Sequence, residues 1–373
     1  MAMSKRTARI LGAAAAGGVV LVTIKELQKV KRRREEERQE AIDAALVRNR
    51  DYGSRRAYLI GGGLGSMAAA AYLIRDCHFP GSHITIYEGM NILGGSNDGI
   101  GTPQKGFVCR GGRMLNEETY ENFWELFDTI PSLKKPGRSV TEEILEFDHG
   151  HPTCAKARLV DKDGNILNVK SMGFNHGDRM ALLRLLLTDE KKLDDLTIQD
   201  WFKETPHIFE TNFWYMWQTT FAFQKWSSLF EFKRYMERMI FEFSRIETLE
   251  GVTRTPYNQY ESVILPLKVY LEEHGVDFSI NAVVTDIDFA KGEGITATAI
   301  HIETANGEEV IELKPEDLCI MTNGCMTDCA TLGDLNTAPE YAPQNPISGE
   351  LWSKIADKKP GLGNPEPFFG NPE

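Results

Sequence analysis

Residues 57–68 read Ala57-Tyr58-Leu59-Ile60-Gly61-Gly62-Gly63-Leu64-Gly65-Ser66-Met67-Ala68. An apolar run enters three glycines and leaves into an alanine-rich segment, Ala68 to Arg75. This is the pattern of a strand, a turn and a helix that together hold a dinucleotide pyrophosphate. Gly61 permits the tight turn. Gly63 lets backbone approach the phosphates, where free N–H groups and the helix dipole favour negative charge. The usual third glycine falls on Ser66, which is small but not glycine. A glycine triplet alone is a common turn, so its context decides. A second apolar run, Ile84-Thr85-Ile86-Tyr87, ends in Glu88, at the distance where an acidic residue takes the adenosine ribose hydroxyls. Ile92-Leu93-Gly94-Gly95-Ser96 follows at once. A second glycine pair just after the acidic residue is a habit of FAD proteins more than of NAD proteins. FAD is therefore the expected cofactor.

Working outward, Gly106-Phe107-Val108-Cys109-Arg110-Gly111-Gly112-Arg113-Met114 reads as a strand entering a glycine pair flanked by arginines. Arg110 and Arg113 can sit on cofactor phosphates or on a carboxylate, or only pair surface acids. The glycine pair between them favours the site. The expected FAD-binding residues are Gly61, Gly63, Glu88, Gly95, Ser96, Arg110, Gly111 and Gly112. Asn116-Glu117-Glu118-Thr119 can cap a helix that carries Tyr120, Phe123, Trp124, Phe127 and Ile130 and stops at Pro131.

Between Phe209 and Phe243 the chain is intensely aromatic, with spacings of three and four that predict helices. An aromatic helical face is usually core, but this density also suits a long apolar substrate. Val276 to Ile287 reads as paired strands, and Thr298–Glu303 with Glu309–Leu313 as a hairpin closing at Asn306-Gly307. Leu318 to Gly324 is a further apolar strand. A strand regained after a long helical stretch is how FAD domains accommodate an inserted substrate domain. The expected fold class is α/β: a Rossmann-type FAD-binding domain with an inserted, mainly helical substrate domain. The expected limits are 1–54 for an N-terminal apolar segment and charged helix, 55–135 with 264–330 for the FAD-binding domain, 136–263 for the insertion and 331–373 for an irregular tail.

The chain has 373 residues and a formal charge of −12, an acidic balance that argues against a nucleic-acid partner. Its six cysteines show no paired metal-type spacing. They read as reduced intracellular thiols, and no metal site is expected. Ahead of the glycine turn, Lys5, Arg6 and Arg9 precede an apolar run, Ile10 to Ile24, shorter than the ~20 residues of a comfortable membrane span. It reads as a marginal membrane anchor, a cleaved targeting peptide or a frayed helix. The basic block Lys29 to Arg34 beside it can lie on anionic lipid.

Several of these segments together resemble the oleate hydratases, once called myosin-cross-reactive antigens. The matching text is Tyr58–Gly65 with Asp76, Leu93–Gly99, Gly106–Arg113 with Asn122–Leu133, Phe213–Tyr235, Tyr257–Tyr260 and Asp317–Gly324. The resemblance covers about residues 55–373. It implies FAD as cofactor, an unsaturated long-chain fatty acid as substrate, and addition of water to the cis double bond, giving a hydroxy fatty acid without net redox change. It implies that Tyr235, in Phe232-Lys233-Arg234-Tyr235, is the proton donor. The family's water-holding glutamate follows the second arginine of the glycine-pair motif, and here that position is Met114. A thioether is a weak acceptor and no base. A branch of the family is similar in carrying methionine there. Glu117 and Glu118 are the nearest carboxylates in sequence. Family members run well beyond residue 373, so the chain resembles a C-terminally shortened member. An inactive, lipid-associated remnant and a flavin oxidoreductase are the alternatives; homo-oligomerisation is left open.

Overall fold

A computed structural model describes Arg38 and residues 52–97, 99, 101–104, 106–107, 114–156, 158–169, 171–239, 242, 245, 248–322, 336–339 and 347–365. Strand β1 (Ala57–Ile60) passes through the glycine turn into helix α1 (Leu64–Arg75), and β2 (Ile84–Glu88) follows. Short strands β3 (Gly101–Thr102) and β4 (Gly106–Phe107) pair antiparallel. Helices α2 (Glu121–Phe127), α3 (Val140–Gly150), α4 (His176–Leu187), α5 (Ile198–Phe202), α6 (Asn212–Phe221) and α7 (Leu229–Met239) come next. The chain returns through α8 (Leu265–Glu273), β5 (Asp277–Ile280), β6 (Val283–Phe289), β7 (Ala297–Thr304), β8 (Gly307–Glu312) and β9 (Leu318–Met321), and later forms α9 (Ile347–Lys358). Two compact units result: residues 158–240, and residues 52–157 with 241–373. The helical unit is tighter than the expected 136–263. Residues on either side of it are held in the strand-bearing unit by bonds such as Ala155 N to Thr248 O and Leu115 N to Thr253 O.

The strand-bearing unit is a parallel sheet in the order β5-β2-β1-β9. Every residue of β1 and β2 is buried, which is why both strands read as continuous apolar text rather than alternation. α1 packs Met67, Ala70 and Ala71 into the core beneath Leu59, Ile84 and Ile86. On the opposite side, Tyr58, Ile60 and Tyr87 meet Ile287, Ile300 and Ile302 of an antiparallel meander, β6-β7-β8. The expected pairing of 278–280 with 283–287 does not occur: β5 pairs parallel with β2, and β6 pairs with β7. The two-residue link explains this. Asn281 takes a left-handed φ of 53°, and Asn281 N and Ala282 N donate to Met90 O and Glu88 O instead of closing a hairpin. The hairpin of β7 and β8 forms as read, with Thr304 opposite Gly307.

The tail, expected to be irregular, contains α9. Pro360 lies beyond the end of the helix and so does not break it. Leu351, Trp352 and Ile355 face the meander, and Ile355 is buried. Lys358 Nζ lies 2.6 Å from Asp286 and 3.1 Å from Asp288; Lys354 Nζ lies 3.2 Å from Asp286. Burial opposes ionisation of Asp286, but the two lysines outweigh it and hold its pKa below the ordinary value. A depressed carboxylate stabilises the fold above its unfolded pKa of about 3.9 and loses that contribution as pH falls through the folded value. Hydrogen-exchange protection factors across 347–358 should therefore fall below about pH 4, and Ile355→Ala should lower them at neutral pH, with a stability loss of about 2–4 kcal/mol.

In the helical unit, Asn175 with Asp178 and Thr197 with Asp200 form capping boxes that start α4 and α5. Its core is aromatic. The Phe232 ring lies 6.2 Å from Phe202, 6.5 Å from Phe213 and 5.6 Å from Trp217, all near edge-to-face. Much of the aromatic density read from sequence is therefore packing: Phe213, Trp214, Trp217, Phe223 and Phe232 are buried.

Candidate functional site

The glycine turn closes at the ends of β1 and β2. Gly61 has φ +94° and donates to Tyr87 O at 2.8 Å. Gly62 N donates to Glu88 Oε2 at 2.8 Å, and Met90 N donates to Oε1 at 2.8 Å. The carboxylate is thus fixed at the mouth of the turn, where both of its oxygens already accept backbone N–H groups. A Cβ on Gly62 would stand 2.6 Å from Leu93 Cδ2 and 2.9 Å from Glu88, so this glycine is required by close approach. Gly63 is extended and begins α1 with no side-chain cap, leaving the helix N-terminus to an anion.

The second glycine pair docks on the first. Gly94 N donates to Gly62 O at 2.8 Å, and Gly63 and Gly94 form a parallel bridge. Gly95 has φ +55°, and its Cβ would lie 3.3 Å from Gly63 Cα. Ser96 sits in the turn Gly95–Asn97. The structure therefore gathers Gly61, Gly63, Glu88, Gly95 and Ser96 in one glycine-lined cradle. Its absent side chains, its helix end and the Glu88 carboxylate suit a dinucleotide. Arg110, Gly111 and Gly112 lie outside the described residues.

Ser66 is fully buried, and its Oγ lies 2.8 Å from Thr322 Oγ1 just past β9. The hydroxyl thus has a partner, so serine is accommodated where glycine was expected. Gly65 takes the close helix–strand approach instead, with its Cβ position 3.3 Å from Thr322 Cγ2. Gly62, Gly65 and Thr322 are the parts that pattern reading passed over. The first two carried a signal in the glycine run itself.

Half-buried Met114 precedes a pinned segment. Leu115 and Thr253 exchange backbone hydrogen bonds. Buried Asn116 donates through Nδ2 to Glu242 Oε1 at 2.9 Å and Gly251 O at 3.1 Å. Arg245 Nη2 donates to the same Glu242 oxygen at 2.6 Å. Glu118 pairs with Arg245 at 3.2 Å and Glu117 with His149 at 3.1 Å, so both carboxylates near Met114 have partners of their own.

In the helical unit, Tyr235 is 37% exposed on α7. Its ring stands edge-on to Phe221 at 5.5 Å and Phe223 at 5.2 Å. Ala222, with φ 58°, ends α6 in a left-handed conformation and turns Phe223 back toward α7. Glu231 lies one turn before Tyr235, and burial pushes its pKa above the ordinary glutamate value. Among the described residues no helix is long and apolar enough to cross a membrane. Residues 10–24, on which the anchor expectation rests, lie outside them.

A family model described as MCRA family matches residues 54–373. A linoleate hydratase of Lactiplantibacillus plantarum is 44% identical over 340 residues, covering 85% of this chain and 59% of that protein. An oleate hydratase of Streptococcus pyogenes is 36% identical over 316 residues, covering 84% and 53%. The chain thus spans little more than half the length of these relatives. Among solved structures, an oxidoreductase from Methanosarcina mazei aligns at a TM-score of 0.42 and 14% identity over 73% of this chain and 59% of its own.

Proposed function

The chain belongs to the MCRA family, and from that premise we propose that it adds water to the cis double bond of an unsaturated long-chain fatty acid such as oleate, with FAD bound. The observation that carries this reading is the 44% identity to a protein named for linoleate hydration. Alkene plus water and alcohol stand at one oxidation level, so FAD serves as a bound, redox-neutral group in the site. Gly61, Gly62, Gly63 and Gly95 admit its pyrophosphate, the start of α1 offers N–H groups, and Glu88 takes the ribose hydroxyls. Ser96, Arg110, Gly111 and Gly112 complete the contacts.

Protonating an alkene develops positive charge on carbon, so the reaction needs a placed acid and a held water. Tyr235 is the acid. An ordinary phenol, pKa about 10, is a weak one, and its placement must supply most of the effect. Met114 occupies the position of the family's glutamate and cannot act as base. The test is incubation of the purified chain with FAD and oleate or linoleate, followed by mass spectrometry. A product heavier by one water supports hydration. A product lighter by two hydrogens assigns the chain to flavin oxidation instead. Unchanged substrate removes the reading for this chain.

A further inference from the structure

We propose that Ser66 and Thr322 form a hydroxyl latch that positions the pyrophosphate seat, so that flavin affinity depends on the end of β9, 256 residues further along the chain. This rests on the FAD reading above and extends it to what holds the first turn of α1 toward its ligand.

A helix leaves its first N–H groups without intrahelical partners. Gly63 supplies no side-chain cap to α1, and Met67 N donates back to Gly63 O at 3.1 Å. The amides of Leu64, Gly65 and Ser66 are therefore the ones offered to an anion. Their direction depends on how this first turn is anchored, and the anchor is Ser66. Its side chain is fully buried on the third residue of α1, and its Oγ lies 2.8 Å from Thr322 Oγ1. Thr322 is in turn fixed to the strand that enters the turn: its N and Oγ1 both donate to Ile60 O, at 3.0 and 3.2 Å. The hydroxyls run as a chain from Ser66 through Thr322 to Ile60, which ties the exit of the glycine turn to its entrance.

Thr322 also backs the turn closely. A Cβ on Gly61 would lie 2.9 Å from Thr322 O, and one on Gly65 would lie 3.3 Å from Thr322 Cγ2. A buried hydroxyl is costly without a partner, so Ser66 favours the arrangement in which Thr322 is present. Thr322 is present when β9 lies along β1, with Met321 opposite Ile60. Among the described residues β9 is the edge of its sheet and has β1 as its one ladder partner, so a bond at its end matters to its docking. Coupling of this kind is reciprocal. A latch that favours FAD is itself favoured by FAD, and cofactor on the α1 amides should tighten β9.

Two measurements on the full chain test this: the FAD dissociation constant, and hydrogen-exchange protection across 317–322 with and without FAD. Thr322→Val exchanges the hydroxyl for a methyl of similar size, and Ser66→Ala deletes the other hydroxyl. Each should raise the FAD dissociation constant by roughly three- to tenfold. The double variant should be little worse than either single one, since both remove the same bond. Thr322→Ser keeps the hydroxyl and loses the methyl beside Gly65, and it should stay near the parent. FAD should raise protection across 317–322 in the parent, and less so in Thr322→Val. Unchanged FAD affinity in both single variants overturns the latch, even where the Tm of the cofactor-free chain falls. So do fully additive losses. Thr322→Ser binding as poorly as Thr322→Val also overturns it and assigns the effect to packing on Gly65. A parent chain that binds no FAD removes the cofactor reading and the latch together, whereas a parent that binds it with variants unaffected removes the latch alone.

Discussion

Tyr235→Phe is expected to lower oleate hydration by about two to four orders of magnitude, the usual worth of a positioned general acid, while leaving the fold intact. The substitution removes one hydroxyl. The ring keeps its edge-on contacts with Phe221 and Phe223, so the packing that holds α6 against α7 is preserved. Tyr235 is also partly exposed, and a phenylalanine there creates no buried cavity. The expected signature is therefore a loss of product by mass spectrometry with Tm and flavin content as in the parent chain. Placement at an exposed edge is itself informative. Phe213, Trp217 and Phe232 pack inward at full burial, and a buried hydroxyl among them would need a partner of its own. A phenol at the cluster's rim has an apolar backing and stays partly exposed. Full activity in the variant would remove Tyr235 from the mechanism.

How far the fold could be read in advance depended on how many forces wrote the same letters. β1 and β2 are buried on both faces, so burial and strand propensity both demanded apolar text, and Gly61 marked the turn because only glycine takes its φ of +94° comfortably. The direction of β5 was not legible. Asp277–Ile280 alternates alike whether it pairs with β2 or β6, and the choice lies in backbone bonds from Asn281 and Ala282. α9 was hidden by prolines at its borders, since proline counts against a helix unless its position relative to the ends is known. At the candidate site the glycines stood out, but their separate duties did not. Gly62 is fixed by Leu93 and Glu88, and Gly65 by Thr322, a residue some 250 positions away. Long-range contacts of this kind leave no local pattern.

Glu88→Arg should strip the chain of flavin, raising the FAD dissociation constant by about a hundredfold or more. The carboxylate has two roles in the geometry. Oε2 and Oε1 accept from Gly62 N and Met90 N, each at 2.8 Å, which holds the glycine turn against the end of β2. The same group is positioned to take ribose hydroxyls. Hydrogen bonds to a charged acceptor contribute about 1.5–3 kcal/mol each, and arginine turns both acceptors into donors facing donors. Losing even two such bonds corresponds to roughly 10²–10⁴ in affinity. Two companions separate the roles. Glu88→Gln keeps one acceptor oxygen and should retain an intermediate amount of flavin. Gly62→Ala leaves the carboxylate in place but puts a Cβ 2.6 Å from Leu93 Cδ2, so it should damage turn geometry with the ribose acceptor still present. If Glu88→Arg weakens FAD far more than Gly62→Ala at similar Tm, the ribose contact dominates. If the two fall together, the carboxylate acts chiefly by shaping the turn. Undiminished flavin content in Glu88→Arg would place the cofactor elsewhere and leave Gly61–Gly63 as a structural turn.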